Sequence, residues 1–514
     1  MWSRFSTAWR SCSVPYLLIG GGTASYYAAL TIRARDPDAK VMIITDENDS
    51  PYKRQLLSKE FWWYGDKNTP TTLSYTSPGS EKRRYIRYEA DGFYPKWDDF
   101  VDKASTDNNN GYLEHGGISL MRNCKAMKLD ARKREVELSD GNKINYEKCL
   151  IATGSRAKPL KELDTSNSKL EKSITHFRSV EDYKKLESAV RSKDESEIVV
   201  IGGGILGSEL VYSLTRRFGP AARYPNREDE PKVHITHLFP EAGLLTGVLP
   251  PMFSDYATNQ MKSHGRIEMN LANARSQETD ASKNSMEPVV EKLVCDYVVV
   301  ATDETEPNVE FVSNSGLKLD NKNGGILADS QMKVMDNIWA AGDVCSFDDP
   351  VIGRRRRVQN WEHAQISGRV AGENMTGGNK AFSHQGAFMT VFSSGDHVSA
   401  VGDIDSSLET ISYVMDPEED DEEGKARNEE SQPVMRAVVF YLVPSGTDEG
   451  KKRIVGVLLY NIFEGMELEI ARKLITDGKE IEDGQMCSDL ARLFDIFPEP
   501  DEEDAENNEN AAEI

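Results

Sequence analysis

The sequence predicts an α/β fold with two Rossmann-like dinucleotide-binding domains and a C-terminal α+β domain, on three observations. Two glycine-rich turns, Gly20-Gly21-Gly22-Thr23-Ala24-Ser25 and Gly202-Gly203-Gly204-Ile205-Leu206-Gly207, each follow a short apolar run and precede a helix-like stretch. Two strand-like runs ending in small residues, Leu150–Arg156 and Val298–Asp303, bracket the second of these turns. A later run, Ile338–Asp343, places a carboxylate just after a buried strand. In such a turn the first glycine reverses the chain, and the second lets backbone N–H groups approach a pyrophosphate at the positive end of a helix. Two turns on one chain imply two dinucleotides and electron movement between them.

The first turn has its full context. Val14–Ile19 is a strand candidate, Tyr26–Ala34 an Ala-rich helix candidate, and Val41–Ile44 a second strand that runs into Thr45-Asp46-Glu47. Asp46 lies 21 residues beyond Ser25, where an acid accepts hydrogen bonds from an adenosine ribose. Ser25 stands at the third glycine position and is small enough for close helix–strand packing. The second turn follows Ile198–Ile201, and its next strand, Val233–Phe239, leads into Pro240-Glu241. Glu241 favours a free ribose 2′-hydroxyl, and no arginine follows it to receive a 2′-phosphate, so this turn reads as a site for NADH rather than NADPH.

At 514 residues the chain has room for about three domains. No apolar run approaches the roughly 18 residues of a membrane-spanning helix. The formal charge of −23 is concentrated: Asp416–Glu430 carries nine acids against Lys425 and Arg427, and Glu499–Ile514 carries eight acids and no base. Both read as solvated, disordered stretches. The mildly acidic remainder argues against a nucleic-acid footprint over the whole surface. The six cysteines, Cys12, Cys124, Cys149, Cys295, Cys345 and Cys487, include no C-x-x-C pair, and with the eight histidines they form no metal spacing. They read as buried apolar thiols in a reducing compartment.

The Ala-Thr-Gly turn at Ala152–Gly154 and the late Ala-Gly-Asp at Ala341–Asp343, set around an inserted dinucleotide domain, resemble the two-dinucleotide-domain, glutathione-reductase-like flavoproteins. The resemblance narrows to the apoptosis-inducing factor family and covers nearly the whole chain. It is carried by Pro51–Arg54 with Leu57–Glu60, Tyr146–Gly154, Ile205–Leu210, Gly353–Val358, Ala371–Gly377, Tyr460–Phe463 and Ile470–Lys473. It implies an FAD-binding domain over 14–155 and 305–386, an NADH-binding domain over 156–304, a C-terminal domain over 387–500 with the acidic insert 416–430, and an acidic tail at 501–514.

By that resemblance FAD is held by Gly20, Gly21, Gly22, Thr23, Ala24, Asp46, Glu47, Arg54, Lys59, Arg178 and Asp343, with Ala126 near the adenine. NADH uses Gly203, Gly204, Ile205, Leu206, Glu241 and Asn461. Lys59 and Glu209 match the family's lysine beside flavin N5 and its glutamate partner. A cation there stabilises electron density arriving on the ring; the alternative is a surface ion pair of about 0–1 kcal/mol. The dithiol of a disulfide reductase is missing from Asp46–Lys59, so electrons leave to an external acceptor, whose identity these residues do not encode.

Three positions depart from the family pattern. Gln359-Asn360-Trp361 replaces a Glu-His-His run, with Asn360 and Trp361 expected at the flavin, Met389 replaces a tryptophan, and Asp303 replaces the glycine of the second Ala-Thr-Gly-like turn. The four arginines Arg354–Arg357 have two readings, nuclear import or nucleic-acid contact on one side and support of the flavin loop or pairing with nearby acids on the other. Met1–Pro15 has Arg4, Arg10, several serines and no acid, which suits either the tail of a mitochondrial presequence or a plain disordered start. The resemblance implies residence in the mitochondrial intermembrane space with release to the nucleus, a homodimer on reduction and an import-factor partner. Two functional classes stay open: an enzyme passing electrons from NADH to a quinone, oxygen or a small redox protein, and a redox-sensing interaction protein that turns over slowly.

Overall fold

The computed structural model describes residues 11–96, 116–160, 172–219, 230–263, 293–393, 395–415, 435–446, 450–462, 465–482 and 484–496. The acidic insert 416–430 and the tail 501–514 fall outside them. The described residues group into two compact units, one within 1–242 and 265–384, the other within 243–264 and 385–514.

The first unit begins with β1 (Ser11–Ile19), α1 (Thr23–Arg35) and β2 (Lys40–Ile44), followed by a short helix α2 (Glu60–Tyr64). Next come β3 (Gly117–Met121), the hairpin β4 (Ala126–Asp130) and β5 (Glu135–Leu138), and the long β6 (Lys143–Ile151). Strand β1 lies between β2 and β6 and is parallel to both. Its buried run Leu17, Leu18 and Ile19 is apolar on both faces, as a central parallel strand requires. It starts at Ser11 rather than Val14, because Ser11–Val14 extends the pairing along Lys143–Tyr146.

The chain then forms β7 (Ile174–His176), α3 (Val180–Val190), β8 (Glu195–Ile201), α4 (Ile205–Phe218), β9 (Lys232–Leu238) and, after α5 (Pro251–Ser263), which belongs to the second unit, β10 (Tyr297–Val300). Strands β7, β10, β8 and β9 lie in that order in a second, all-parallel sheet. Helix α3 starts at a capping box in which Ser179 Oγ accepts from Asp182 N and the Asp182 carboxylate accepts from Ser179 N, satisfying two otherwise unpaired donors. The chain returns to the first sheet through β11 (Lys333–Met335) and β12 (Ile338–Ala340), and α6 (Trp361–Met375) follows. That sheet runs β11-β12-β6-β1-β2-β3, with the hairpin attached through β5 to β6. The carboxyl ends of β1, β2, β6 and β12 therefore open on one side, which is where a parallel sheet binds its ligand.

The second unit is an antiparallel sheet of β13 (Ala387–Val391), β14 (His397–Gly402), β15 (Glu409–Met415), β16 (Arg436–Pro444), β17 (Lys452–Tyr460) and β18 (Glu480–Ile481), with α7 (Glu467–Thr476) and α8 (Gly484–Ala491). Ala437–Tyr441 is fully buried, so the centre of this sheet is covered on both faces. Among the described residues no helix is long and apolar enough to cross a membrane, and no cluster of His, Cys, Asp and Glu suits a metal ion.

Candidate functional site

The first glycine turn sits at the carboxyl end of β1. Gly20 has φ +112° and donates its N–H to Ile44 O at 2.8 Å. A Cβ there would lie 2.2 Å from Ala152 O, so the turn excludes any other residue. Ser25 is fully buried, which is how a hydroxymethyl serves where the fingerprint has glycine. Thr23 Oγ1 lies 3.0 Å from the Tyr88 hydroxyl, and Trp361 Nε1 donates to that hydroxyl at 2.6 Å. Trp361 is thereby tied to the mouth of the first turn, while Asn360 caps α6 by accepting from His363 N at 2.6 Å.

A polar cluster gathers beside this turn. Asp46 is exposed just past β2. The Glu47 carboxylate accepts from the Tyr52 hydroxyl at 2.7 Å and Arg54 Nη2 at 2.6 Å. Burial alone would raise the Glu47 carboxyl, but Arg54 and the Tyr52 hydrogen bond outweigh it and hold its pKa low. Arg54 Nη1 donates to Arg178 O at 2.7 Å, and Arg178 Nη2 donates to Ser155 Oγ at 2.7 Å and to Asp343 Oδ2 at 2.8 Å. Ser155 Oγ also donates to Asp343 Oδ2, at 2.8 Å. Residues far apart in sequence thus converge on the carboxyl edge of one sheet.

In the second turn Gly202 has φ +130°, and its carbonyl accepts from Nε2 of the buried His237 at 2.7 Å, which assigns that nitrogen the proton. A Cβ on Gly207 would lie 1.9 Å from the same carbonyl oxygen, so the third glycine is obligatory here. Burial lowers His237 to about 4, keeping the ring neutral at physiological pH. The turn's next N–H groups are engaged: Ile205 N donates to Asp303 Oδ2 at 2.7 Å and Leu206 N to Asp303 Oδ1 at 3.2 Å.

Lys59 and Glu209 meet between the two turns. Lys59 Nζ donates to Glu209 Oε1 at 2.7 Å and Ser58 Oγ to Glu209 Oε2 at 2.6 Å. The side chains of Lys59 and Glu209 are only 11% and 5% exposed, which rules out the surface ion pair considered from sequence. Glu209 is on α4, one turn past the glycines, while Lys59 precedes α2. Ser213 Oγ donates to Ser58 O at 2.6 Å and accepts from Trp63 Nε1 at 2.8 Å, fastening the two segments together.

Comparison with known proteins accords with this arrangement. The family model described as pyridine nucleotide-disulphide oxidoreductase matches residues 14–368, and that of the mitochondrion-associated C-terminal domain of apoptosis-inducing factor matches 371–436. Apoptosis-inducing factor 1, mitochondrial, of Dictyostelium discoideum is 31% identical over 91% of this chain and 79% of its own length. The chain belongs to the apoptosis-inducing factor family. The putative Drosophila melanogaster member is 32% identical over 94% of this chain, which spans 65% of that protein's length. Among solved structures, the covalent putidaredoxin reductase–putidaredoxin complex is similar with TM-score 0.64 at 20% identity, covering 90% of this chain and 93% of that one. NADH:rubredoxin oxidoreductase from Clostridium acetobutylicum gives 0.57 at 20%, over 92% and 97%. At such identities these likenesses speak for the fold.

FAD and NAD(H) are the cofactors of the apoptosis-inducing factor family and of this chain. The first turn fits FAD: a Cβ on Gly22 would meet no atom within 4 Å, and among the described residues no side chain takes the N–H groups of Thr23 and Ala24. The second turn fits less well. It has the glycines, but the Asp303 carboxylate lies on the N–H groups that a pyrophosphate uses.

The structure gathers Gly20–Ala24, Glu47, Arg54, Arg178 and Asp343 at one edge. Ala126 is buried at the start of β4, paired with Leu138. Glu241 follows β9 by three residues, past the buried Phe239. Asn461, in the other unit, spends its amide there: Nδ2 donates to Asp396 Oδ1 and Met435 O, and Oδ1 accepts from His397 N. Arg355 and Arg356 are paired with Asp348 at 2.6 Å and Asp349 at 3.0 Å, and Arg357 Nε donates to Asn323 O at 2.7 Å. This is the pairing alternative for the arginine run. Sequence reading gave no role to Ser58, Ser155, His237 or Tyr88; the first three lie in runs it had singled out, Leu57–Glu60, Leu150–Arg156 and Val233–Phe239, but without their own signal, and Tyr88 lies in none.

Proposed function

We propose that this chain is an FAD-dependent NADH oxidoreductase of the apoptosis-inducing factor type, in which flavin reduction is coupled to conformation and to formation of a homodimer. The buried Lys59–Glu209 pair carries the reading, because it links the flavin-side segment to the helix of the second nucleotide turn. When bound, the flavin supplies the two-electron acceptor for the hydride of NADH. Lys59 places a fixed cation where charge accumulates on reduction, in surroundings too dry for water to do the same. Glu209 is a positioning residue: it holds the ammonium in place, and Ser58 fixes the carboxylate's second oxygen. Arg178 and Ser155 orient Asp343 for the ribityl chain, Glu47 with Arg54 and exposed Asp46 serve the adenosine side, and Glu241 reads the nicotinamide dinucleotide's ribose. Trp361, hydrogen-bonded to Tyr88, covers the first turn.

The match of 371–436 to the apoptosis-inducing factor C-terminal domain supports a role in mitochondrial maintenance and programmed cell death, with residence in the intermembrane space, nuclear release and an import-factor partner. A second reading is an electron-transfer reductase passing electrons to a quinone or an iron–sulfur protein. It is favoured by the similarity to ferredoxin–NAD(+) reductase components of dioxygenase systems, such as that of Burkholderia cepacia at 26% identity over 72% of this chain. Stopped-flow reduction by NADH, then reoxidation by oxygen, a quinone and a ferredoxin, separates them. Fast reduction with very slow reoxidation by every acceptor supports the first reading; rapid steady-state turnover with one of them overturns it for the second.

A further inference from the structure

The two glycine turns share a covalent pattern and differ at one charge. Ile205 and Leu206 are the first two residues of a 14-residue helix, and their N–H groups form its positive end. Both donate to Asp303, at 2.7 and 3.2 Å. A Cβ on Gly204 would lie 2.0 Å from Asp303 Oδ2, so the carboxylate rests directly on the turn. Asp303 as a residue is solvent-exposed, while its carboxylate is seated against the turn. Among the described residues, no carboxylate lies on the first turn's N–H groups in this way.

We propose that Asp303 is an intramolecular stand-in for the dinucleotide's pyrophosphate, and that it sets the affinity of the second turn for NADH by having to be displaced or neutralised first. This rests on reading the second turn as the NADH site. A pyrophosphate uses the same N–H donors and the same helix end, and two anions cannot share them without strong repulsion. The charged groups facing Asp303 add to that repulsion: Glu209 on α4 and Glu241 beyond β9 are both acids. Desolvation, with those two acids, raises the Asp303 carboxyl pKa against the lowering by its two N–H bonds. Acidification therefore neutralises it earlier than an ordinary aspartate and frees the donors for a ligand.

The test is calorimetric binding of NADH and of ADP-ribose, which carries the pyrophosphate but no reducing ring, to the flavin-loaded protein. Wild type is compared with Asp303→Gly and with Asp303→Asn, which keeps a neutral cap should the glycine variant fold poorly. At about pH 8 both variants bind ADP-ribose on the order of tenfold more tightly than wild type. As the pH falls from about 8 towards the carboxylate range the wild type tightens more than either variant. Equal affinities and parallel pH profiles overturn the proposal, even with a lowered Tm, since that is what a purely structural cap gives. Failure of all three proteins to bind ADP-ribose while retaining flavin overturns the assignment of the second turn, and the proposal with it.

Discussion

Replacing Glu209 by leucine leaves the Lys59 ammonium, 11% exposed, without its counter-charge, and leaves the Ser58 hydroxyl without its acceptor. Breaking a buried pair from one side costs about 3–5 kcal/mol. The ammonium keeps a little solvent access, so about 3 kcal/mol is expected for Glu209→Leu. Glu209→Gln retains an oxygen and the hydrogen-bond geometry, and is expected to lose only about 1–2 kcal/mol. Lys59→Met with Glu209→Leu removes both charges from the same volume and should cost clearly less than the two single changes added together. The expected coupling is at least about 1.5 kcal/mol. Urea denaturation followed by tryptophan fluorescence reads it, because Trp63 is hydrogen-bonded to Ser213 on the helix that carries Glu209. A coupling below about 0.5 kcal/mol, the level of an exposed pair, would refute the claim that this contact is a desolvated device rather than a surface contact.

Gly20→Ala must force a Cβ to within 2.2 Å of Ala152 O at φ +112°; flavin absorbance per protein should fall sharply, and unchanged occupancy would show that the turn relaxes freely. Glu241→Arg should narrow or invert the preference for NADH over NADPH in bimolecular flavin reduction, a discrimination of about 1–3 kcal/mol. His237 has its folded pKa lowered to about 4 from 6.5 by burial, so the neutral ring's contribution, about 3 kcal/mol, is complete above pH 6.5 and is lost as pH falls through about 4. His237→Asn should flatten that part of the stability–pH curve, and superimposable curves would contradict the assignment. Anaerobic NADH should shift sedimentation towards a homodimer and increase proteolysis within 416–430; an unchanged monomer mass and cleavage pattern after full reduction would leave only a simple reductase.

Much of this molecule was legible in local sequence. Strand–glycine–helix units declare themselves because Gly20 and Gly202 occupy backbone conformations and close approaches that other residues cannot, and because the parallel strands beside them are apolar on both faces. The acids at strand ends followed from the same geometry. Lys59 and Glu209 were named through family resemblance, but their burial was not legible: a lysine and a glutamate 150 positions apart read as surface residues until the packing of two segments removes their water. The same holds for Ser155 and Asp343, which meet because β6 and β12 lie side by side, and for Arg178, which reaches both from just after β7 of the other sheet. For Asp303 the sequence determined the substitution, a carboxylate where the family has glycine. Only the tertiary structure decided its consequence, since the parallel pairing of β8 with β10 brings that residue onto the end of α4, where its charge meets two backbone N–H groups 97 and 98 residues away.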